Sequence, residues 1–458
     1  MNGEVHTFSQ GGLNFALDVP TGILHVLDAP ALAVVQYVSE SPAASREDAM
    51  SALFSSFSMT ELTEAWEDIA ELRRNDQLFS APSELPEVFK EAPILKSLCL
   101  HVAHDCNLRC GYCFASTGNF GGGRSLMPLE VGKKAIDFLI EKSGNRQHLE
   151  VDYFGGEPLM NFEMVKSLTA YIKEQGRIHG KEFKLTLTTN GTLMDEKAQA
   201  FLNEEEISLV LSLDGRKEVH DRMRPNAGGQ GTYEIVVKRF KEVIAGRPEK
   251  KDYYLRGTYT AWNKEFSKDV LHMADIGFTE LSVEPVVTQD ERLAFSDEDL
   301  LLLFSEYDKL AEEFLKRKEE GKPFLFFHFL QEMYHGPCLQ KRLSGCGAGH
   351  EYAAVTPDGE IYPCHQFVGR EEFKLGDLEQ GILRNDLTEE FRHSHVLTKE
   401  DCRNCWAKFH CSGGCHANAE QFNHDLRKPY ELACKLQKKR IECALYIQAR
   451  LALIEAEG

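Results

Sequence analysis

Apolar and polar positions change rhythm three times along this chain. Up to about residue 80, short runs at 5–8, 15–18 and 23–26 predict strands, set around the turn-forming Gly11-Gly12 and Pro20-Thr21-Gly22. Apolar residues then recur at three- and four-residue steps over 31–37, 45–57 and 61–75, which predicts three helices. A hairpin with three helices suggests a winged-helix-like module over residues 1–85, ending in the proline-containing linker 81–86.

From residue 94 the rhythm alternates between the two periods. Strands are expected at 98–102, 149–154, 184–188, 209–213, 254–259 and 280–286, with helices between them at 129–142, 162–174, 196–203, 233–244 and 266–276. Repeated βα units imply a parallel sheet covered by helices, and about six units suit an α/β partial barrel over residues 94–320. Such a barrel carries its chemistry at the C-terminal ends of its strands. The polar and glycine-rich sequences lie there: the 106–113 loop, Gly155-Gly156-Glu157-Pro158, Thr189-Asn190-Gly191, Ser212-Leu213-Asp214-Gly215, Arg256-Gly257-Thr258 and Glu284-Pro285. After a helical stretch at 297–320, residues 321–458 read as short strands and cysteine-rich turns closed by a helix at about 431–456.

Charge and cysteine usage narrow the chemistry. A net charge of -20 repels a phosphate backbone, and no basic patch offsets it, so nucleic acid is excluded as a partner. No apolar run approaches membrane-spanning length, and Met1-Asn2-Gly3-Glu4 lacks the basic and apolar parts of a signal peptide; the expectation is a cytoplasmic protein with no membrane partner. In that reducing compartment thirteen cysteines point to metal ligation rather than to disulfides. They fall in three groups, with none between residues 114 and 337.

Cys106-x3-Cys110-x2-Cys113 supplies three thiolates where an iron–sulfur cluster normally takes four, which leaves one iron open to an exogenous ligand. With Tyr112 before the last cysteine and Gly155-Gly156-Glu157-Pro158 beyond, the chain resembles the radical S-adenosylmethionine (SAM) superfamily. The resemblance implies that SAM binds the open iron. It implies further that Gly155, Gly156, Glu157 and Pro158 form the element that lets backbone approach the ligand and sets a carboxylate at the SAM ammonium. Thr189, Asn190, Ser212 and Asp214 would face its ribose and methionine parts, and Arg256 its carboxylate; strand-end capping is an equal reading for Thr189, Ser212 and Asp214.

The C-terminal cysteines read Cys346-x12-Gly359-x4-Cys364, then Cys402-x2-Cys405-x5-Cys411-x3-Cys415, then Cys434. This spacing resembles the SPASM extension, and the resemblance implies two auxiliary clusters: Cys402, Cys405, Cys411 and Cys434 on the distal one, Cys346, Cys364 and Cys415 on the nearer one. Two cubanes need eight thiolates and this pattern offers seven, so either Cys338 completes the nearer cluster or that cluster keeps an open iron for a substrate thiolate. Three 4Fe-4S clusters and SAM are thus the implied cofactors. Cys99 and Cys443 read as buried core thiols, and His104 and His365, beside ligands, as packing or supporting residues.

Over nearly its whole length, including Tyr362-Pro363-Cys364-His365-Gln366-Phe367-Val368-Gly369, the chain looks most like the thioether-forming SCIFF (six cysteines in forty-five) maturases, grouped with the ranthipeptide synthases. That likeness implies a cysteine-rich precursor peptide as substrate, its leader held by the N-terminal module through strand addition, and a reductant such as flavodoxin or ferredoxin. The acidic Glu61, Glu64, Glu67 and Asp68 would suit a basic leader or form a solvated face. The implied reaction starts with reductive cleavage of SAM and hydrogen abstraction from the peptide by a 5′-deoxyadenosyl radical, and ends with a carbon–sulfur bond to a cysteine. A sulfatase-maturase-type or other radical peptide oxidase is the alternative, and a zinc-binding scaffold the remote one.

Overall fold

The computed structural model describes residues 5–81, 93–247, 252–330 and 339–457. Strands β1 (Val5–Gln10), β2 (Leu13–Asp18) and β3 (Ile23–Leu27) form an antiparallel sheet in that order. Gln10 pairs with Leu13 across Gly11-Gly12, whose φ angles of 57° and 77° are those a two-residue I′ hairpin turn demands. Three helices follow, α1 (Ala29–Glu40), α2 (Arg46–Leu53) and α3 (Met59–Arg74). Asp28 caps the first, and Ser45 with Asp48 and Ser58 with Glu61 close capping boxes on the other two.

β2 is buried on both faces, and this decides where the module sits. Ala16 packs under the helices with Val34, Val35 and Leu62. Leu17 points the other way, against Ile441 and Leu445 of the C-terminal helix Glu431–Glu457 and against Ala407. His6 stacks on Trp406 with centroids 3.7 Å apart and bonds Glu442 at 2.9 Å.

The barrel strands are β4 (Ser97–Ala103), β5 (His148–Gly155), β6 (Glu182–Thr189), β7 (Ser208–Ser212), β8 (Tyr253–Tyr259) and β9 (Glu280–Pro285), parallel and in chain order. Helices α4 (Leu129–Lys142), α5 (Phe162–His179), α6 (Glu196–Glu204), α7 (Lys217–Met223), α8 (Tyr233–Ala245) and α9 (Phe266–Asp275) alternate with them, and α10 (Leu300–Glu319) follows. The amphipathic stripes found in the sequence are the buried faces, as with Ala135, Ile136 and Leu139 on α4.

The sheet runs on past the six strands at both ends. β10 (Leu325–Phe326) pairs parallel with β9, and β11 (Tyr352–Val355) pairs parallel with β4. β12 (Glu360–Tyr362), β13 (Gly376–Asp377) and β14 (Gly381–Ile382) then extend the β11 edge antiparallel, giving, among the described residues, one sheet of eleven strands. β11 is apolar enough to lie beside β4, whose seven residues are all buried. The C-terminal helix closes the structure against α10, where Arg440 Nε donates to Tyr307 at 2.7 Å and Tyr446 to Glu312 at 2.8 Å. Among the described residues no helix is long and apolar enough to cross a membrane.

Candidate active site

At the end of β4 the chain enters the 106–113 loop, which is stitched on two sides. Gly156 N donates to Ala103 O at 2.8 Å and Glu157 N to Asp105 O at 2.9 Å. A Cβ on Gly155 or Gly156 would stand 2.2 or 2.1 Å from those carbonyl oxygens, so both positions must be glycine. The close approach these glycines allow is therefore to the loop that carries the thiols. On the other side Arg109 N and Gly111 N donate to Pro225 O and Met223 O, at 2.8 and 2.9 Å. Leu108 N points at Cys106 Sγ from 3.4 Å, and Asn190 Nδ2 from 3.8 Å.

Two buried carboxylates hold the strand ends together. Glu157 accepts from Leu159 N at 3.0 Å, Thr189 Oγ1 at 2.7 Å and Asn190 N at 2.8 Å, which ties the end of β5 to that of β6. Burial lifts its carboxyl to about 7 against those donors. Asp214 accepts from Tyr112 at 2.7 Å, Arg224 Nε at 3.0 Å and Thr258 N at 3.0 Å, which ties the cysteine loop to β8. Burial opposes the charge on Arg224, and Asp214, Tyr112 and Cys110 more than offset it. The Cys110 thiol is pushed up by burial to about 11 against the opposing pull of Arg224. Burial and then Glu157 raise Cys106 to about 12.

These groups surround a cavity of about 380 Å³. Its walls hold Cys106, Cys110 and Cys113, and also Gly155, Gly156, Thr189, Asn190, Ser212 and Arg256 from the residues read as SAM contacts. Glu157, Pro158 and Asp214 stand outside the wall, and the oxygens of both carboxylates are engaged by protein donors. Arg224, unnoticed in the sequence, is in the wall. Its signal was there: Pro225 stops helix α7 and leaves a cation beside the thiol loop. Arg256, Thr258, Val287 and Gln366 also line a second cavity of about 400 Å³, whose far side carries Cys411, Cys415 and Cys434 with Glu284 and Arg440. A larger hollow of about 700 Å³ near Gly144 and His179 has no thiol in its wall.

The remaining thiols sort themselves by mutual influence. Cys364, raised by burial, is raised further by Cys415 and Cys346. Cys434 is lifted to about 12, by burial first and then by Cys411, Cys402 and Cys405. Backbone N–H groups of Gln366 and Phe367 aim at Cys364, those of Asn418 and Ala417 at Cys415, and those of Gly414 and Gly413 at Cys411. Lys399 lies fully buried near both groups. Cys338 is outside the described residues. Cys99 and Cys443 are buried, Cys443 taking a bond from Gln10 at 3.4 Å. His365 is in the first cavity's wall, while His104 pairs with buried His101 at 3.0 Å.

Every described cysteine is a free thiol, and among the described residues no three His, Cys, Asp or Glu side chains converge on a point a single ion could occupy. Clustered thiols that raise one another and receive N–H donors on sulfur are suited to thiolate ligation of a larger cationic group, and an iron–sulfur cluster fits that donor set.

Comparison with known proteins agrees with this chemistry. A family model described as Radical SAM superfamily matches residues 100–247, and a second, SPASM, described as an iron-sulfur cluster-binding domain, matches 346–406. The cysteine-type anaerobic sulfatase-maturating enzyme of Clostridium novyi (strain NT) is 25% identical over 353 residues, 71% of this chain and 90% of that protein. The structure of native anSMEcpe with bound AdoMet and Kp18Cys peptide superposes with a TM-score of 0.63 at 22% identity, covering 79% of this chain and 99% of that one. Streptococcus suis SuiB bound to precursor peptide SuiA superposes at 0.52 and 16% identity, covering 94% and 98%.

Proposed function

The chain combines an α/β radical SAM fold with a C-terminal SPASM domain, and we propose that it installs thioether crosslinks in a cysteine-rich, ribosomally made precursor peptide. The observation that carries this reading is the junction of the two cavities at Arg256, Thr258, Val287 and Gln366, since a peptide segment lying there would reach from the Cys106 group to the thiols of Cys411 and Cys415. In this reading Cys106, Cys110 and Cys113 hold one 4Fe-4S cluster. Cys402, Cys405, Cys411 and Cys434 hold a second, and Cys346, Cys364 and Cys415 a third, with or without Cys338. With a cluster and SAM bound there, an electron from the reductant would cleave SAM to methionine and a 5′-deoxyadenosyl radical able to take a hydrogen atom from a peptide carbon.

The protein's own residues orient and enclose. Gly155, Gly156, Thr189, Asn190, Ser212 and Arg256 form the wall in which SAM would lie, and Arg256 is the cation suited to its carboxylate. Glu157 and Asp214 fix the strand ends behind this wall, and Glu157 is the carboxylate suited to the SAM ammonium. Tyr112 and Arg224 clamp the thiol loop through Asp214, so the loop is set before anything binds. Phe154, Tyr254 and Tyr352 make much of the wall apolar or aromatic and keep water from a reactive carbon.

Recognition of a leader is assigned to the module over residues 1–85, leaving 94–320 for the barrel and 321–458 for the auxiliary clusters. β3 is an edge strand with Ile23 and Val26 exposed, the geometry strand addition uses. SuiB, solved with its precursor peptide, covers 94% of this chain against 79% for anSMEcpe, which favours a precursor peptide over a sulfatase as substrate. A reductant of the flavodoxin or ferredoxin class would supply electrons. The sulfatase-maturase reading keeps the support of the 90% coverage of the Clostridium novyi enzyme.

The test is anaerobic incubation of reconstituted protein with SAM, reductant and a cysteine-rich peptide encoded beside its gene, followed by tandem mass spectrometry. Loss of two hydrogens per crosslink with blocked thiol alkylation is expected. Oxidation of a sulfatase-derived peptide, with the cysteine-rich peptide unchanged, would select the alternative, and iron-free protein that binds zinc would remove both.

A further inference from the structure

Lys399 lies buried among the thiols of the C-terminal segment. Lys399 is completely buried, and its Nζ donates to Gly413 O at 2.9 Å, inside the turn that joins Cys411 to Cys415. Burial works first against its charge and lowers its pKa; the groups that favour the charge are the thiols of Cys402, Cys411, Cys415 and Cys434, drawn from both C-terminal groups, and no carboxylate among the described residues pairs with it. A buried lysine normally sits against a carboxylate, because removing an ammonium from water unpaired is expensive. Here the groups placed to supply negative charge are those thiols, once a cluster takes them as thiolates. A 4Fe-4S cluster with four thiolates is an anion, and taking up one electron makes it one unit more negative.

We infer that Lys399 is a positioning and tuning residue for the auxiliary clusters: its ammonium, shared by the two thiol groups, favours the reduced cluster and so eases acceptance of the electron released when a substrate carbon–sulfur bond closes. The inference rests on the cluster assignment made above. In a low-dielectric interior a single cation acts on both groups with little screening. An Arg should serve as well as Lys electrostatically, and a neutral side chain of the same length should not.

The test uses the full chain, reconstituted with iron and sulfide, with Cys106, Cys110 and Cys113 replaced by Ala so that only auxiliary signals remain. Electron paramagnetic resonance during a dithionite potentiometric titration then reads each midpoint. Lys399→Met should shift the reduction equilibrium of at least one auxiliary cluster tenfold or more toward the oxidised form, about 59 mV for one electron. Lys399→Arg should hold it near the parent value. Unchanged midpoints in Lys399→Met at full iron content would overturn the inference. If Lys399→Met loses iron, Lys399→Gln, which can still donate to Gly413, repeats the measurement. Iron lost from both neutral variants and kept in Lys399→Arg supports a charge requirement, whereas loss from all three reduces Lys399 to packing. An auxiliary signal missing from the parent chain would remove the cluster assignment itself, and the inference with it.

Discussion

The 106–113 loop and the 402–415 turns both hold thiols, and they do so by different means. The barrel loop is held from far away in sequence: Asp214 joins Tyr112, Arg224 and the backbone of β8, and Glu157 joins β5 to β6. The C-terminal turns are held locally, by left-handed residues such as Ser412, Gly413 and Gly414 and by N–H groups a few positions from each sulfur. A site built across strand ends fails through lost charge partners. One built from turns fails through backbone strain.

The largest effect should come from the thiols themselves. Cys106→Ala is expected to abolish 5′-deoxyadenosine formation, whereas Cys411→Ala should leave part of it and remove crosslinked peptide; chromatography of the nucleoside beside peptide mass spectrometry separates the two. Next, Arg224→Met leaves Asp214 as an uncompensated buried charge and should cost about 3–5 kcal/mol in urea unfolding. Adding Asp214→Asn should recover part of that loss, and a double variant no more stable than the single would break the long-range half of the comparison. Gly413→Ala forces a side chain into φ 86°, at about 1–2 kcal/mol, and should lower auxiliary iron content while the Cys106 group still cleaves SAM. The smallest change should be His6→Ala. Losing the stack on Trp406 weakens module docking by about 0.5–1.5 kcal/mol, raising KM for peptide and leaving peptide-independent SAM cleavage alone.

The same contrast explains what could be read from the sequence. The turn-built thiol groups are written in spacing, so Cys346, Cys364 and Cys402 to Cys434 were legible before any fold was known. The βα rhythm likewise marked β4 to β9, because each strand and helix is defined by its own periodicity. The supports of the barrel loop were not legible: nothing local tells that Arg224 meets Asp214 and Tyr112. Glu157 reads as a ligand group because a carboxylate after two glycines at a strand end suits that role, and the fold adds its bonds from Thr189 and Asn190, which no local pattern announces. Strands β10 and β11 escaped because two and four residues are too short for a period to register, and their pairing with β9 and β4 is entirely long-range. The contact between the N-terminal module and Trp406 was invisible for the same reason.

The pairing of β11 with β4 makes the molecule a fixed gauge. Ala354 stands beside Cys99 and Val355 beside Leu100; β4 runs on toward Cys106, while β11 turns back through antiparallel β12 before Cys364. Sliding one strand along the other is possible only in whole-residue steps of about 3.3 Å, and an odd step would turn every side chain to the opposite face. The span between the two thiol regions is therefore set by hydrogen-bond count and not by a hinge. On the proposed reading a peptide substrate would have to match that span with its own length and bend, and selection among peptides would fall on the spacing between their reacting residues.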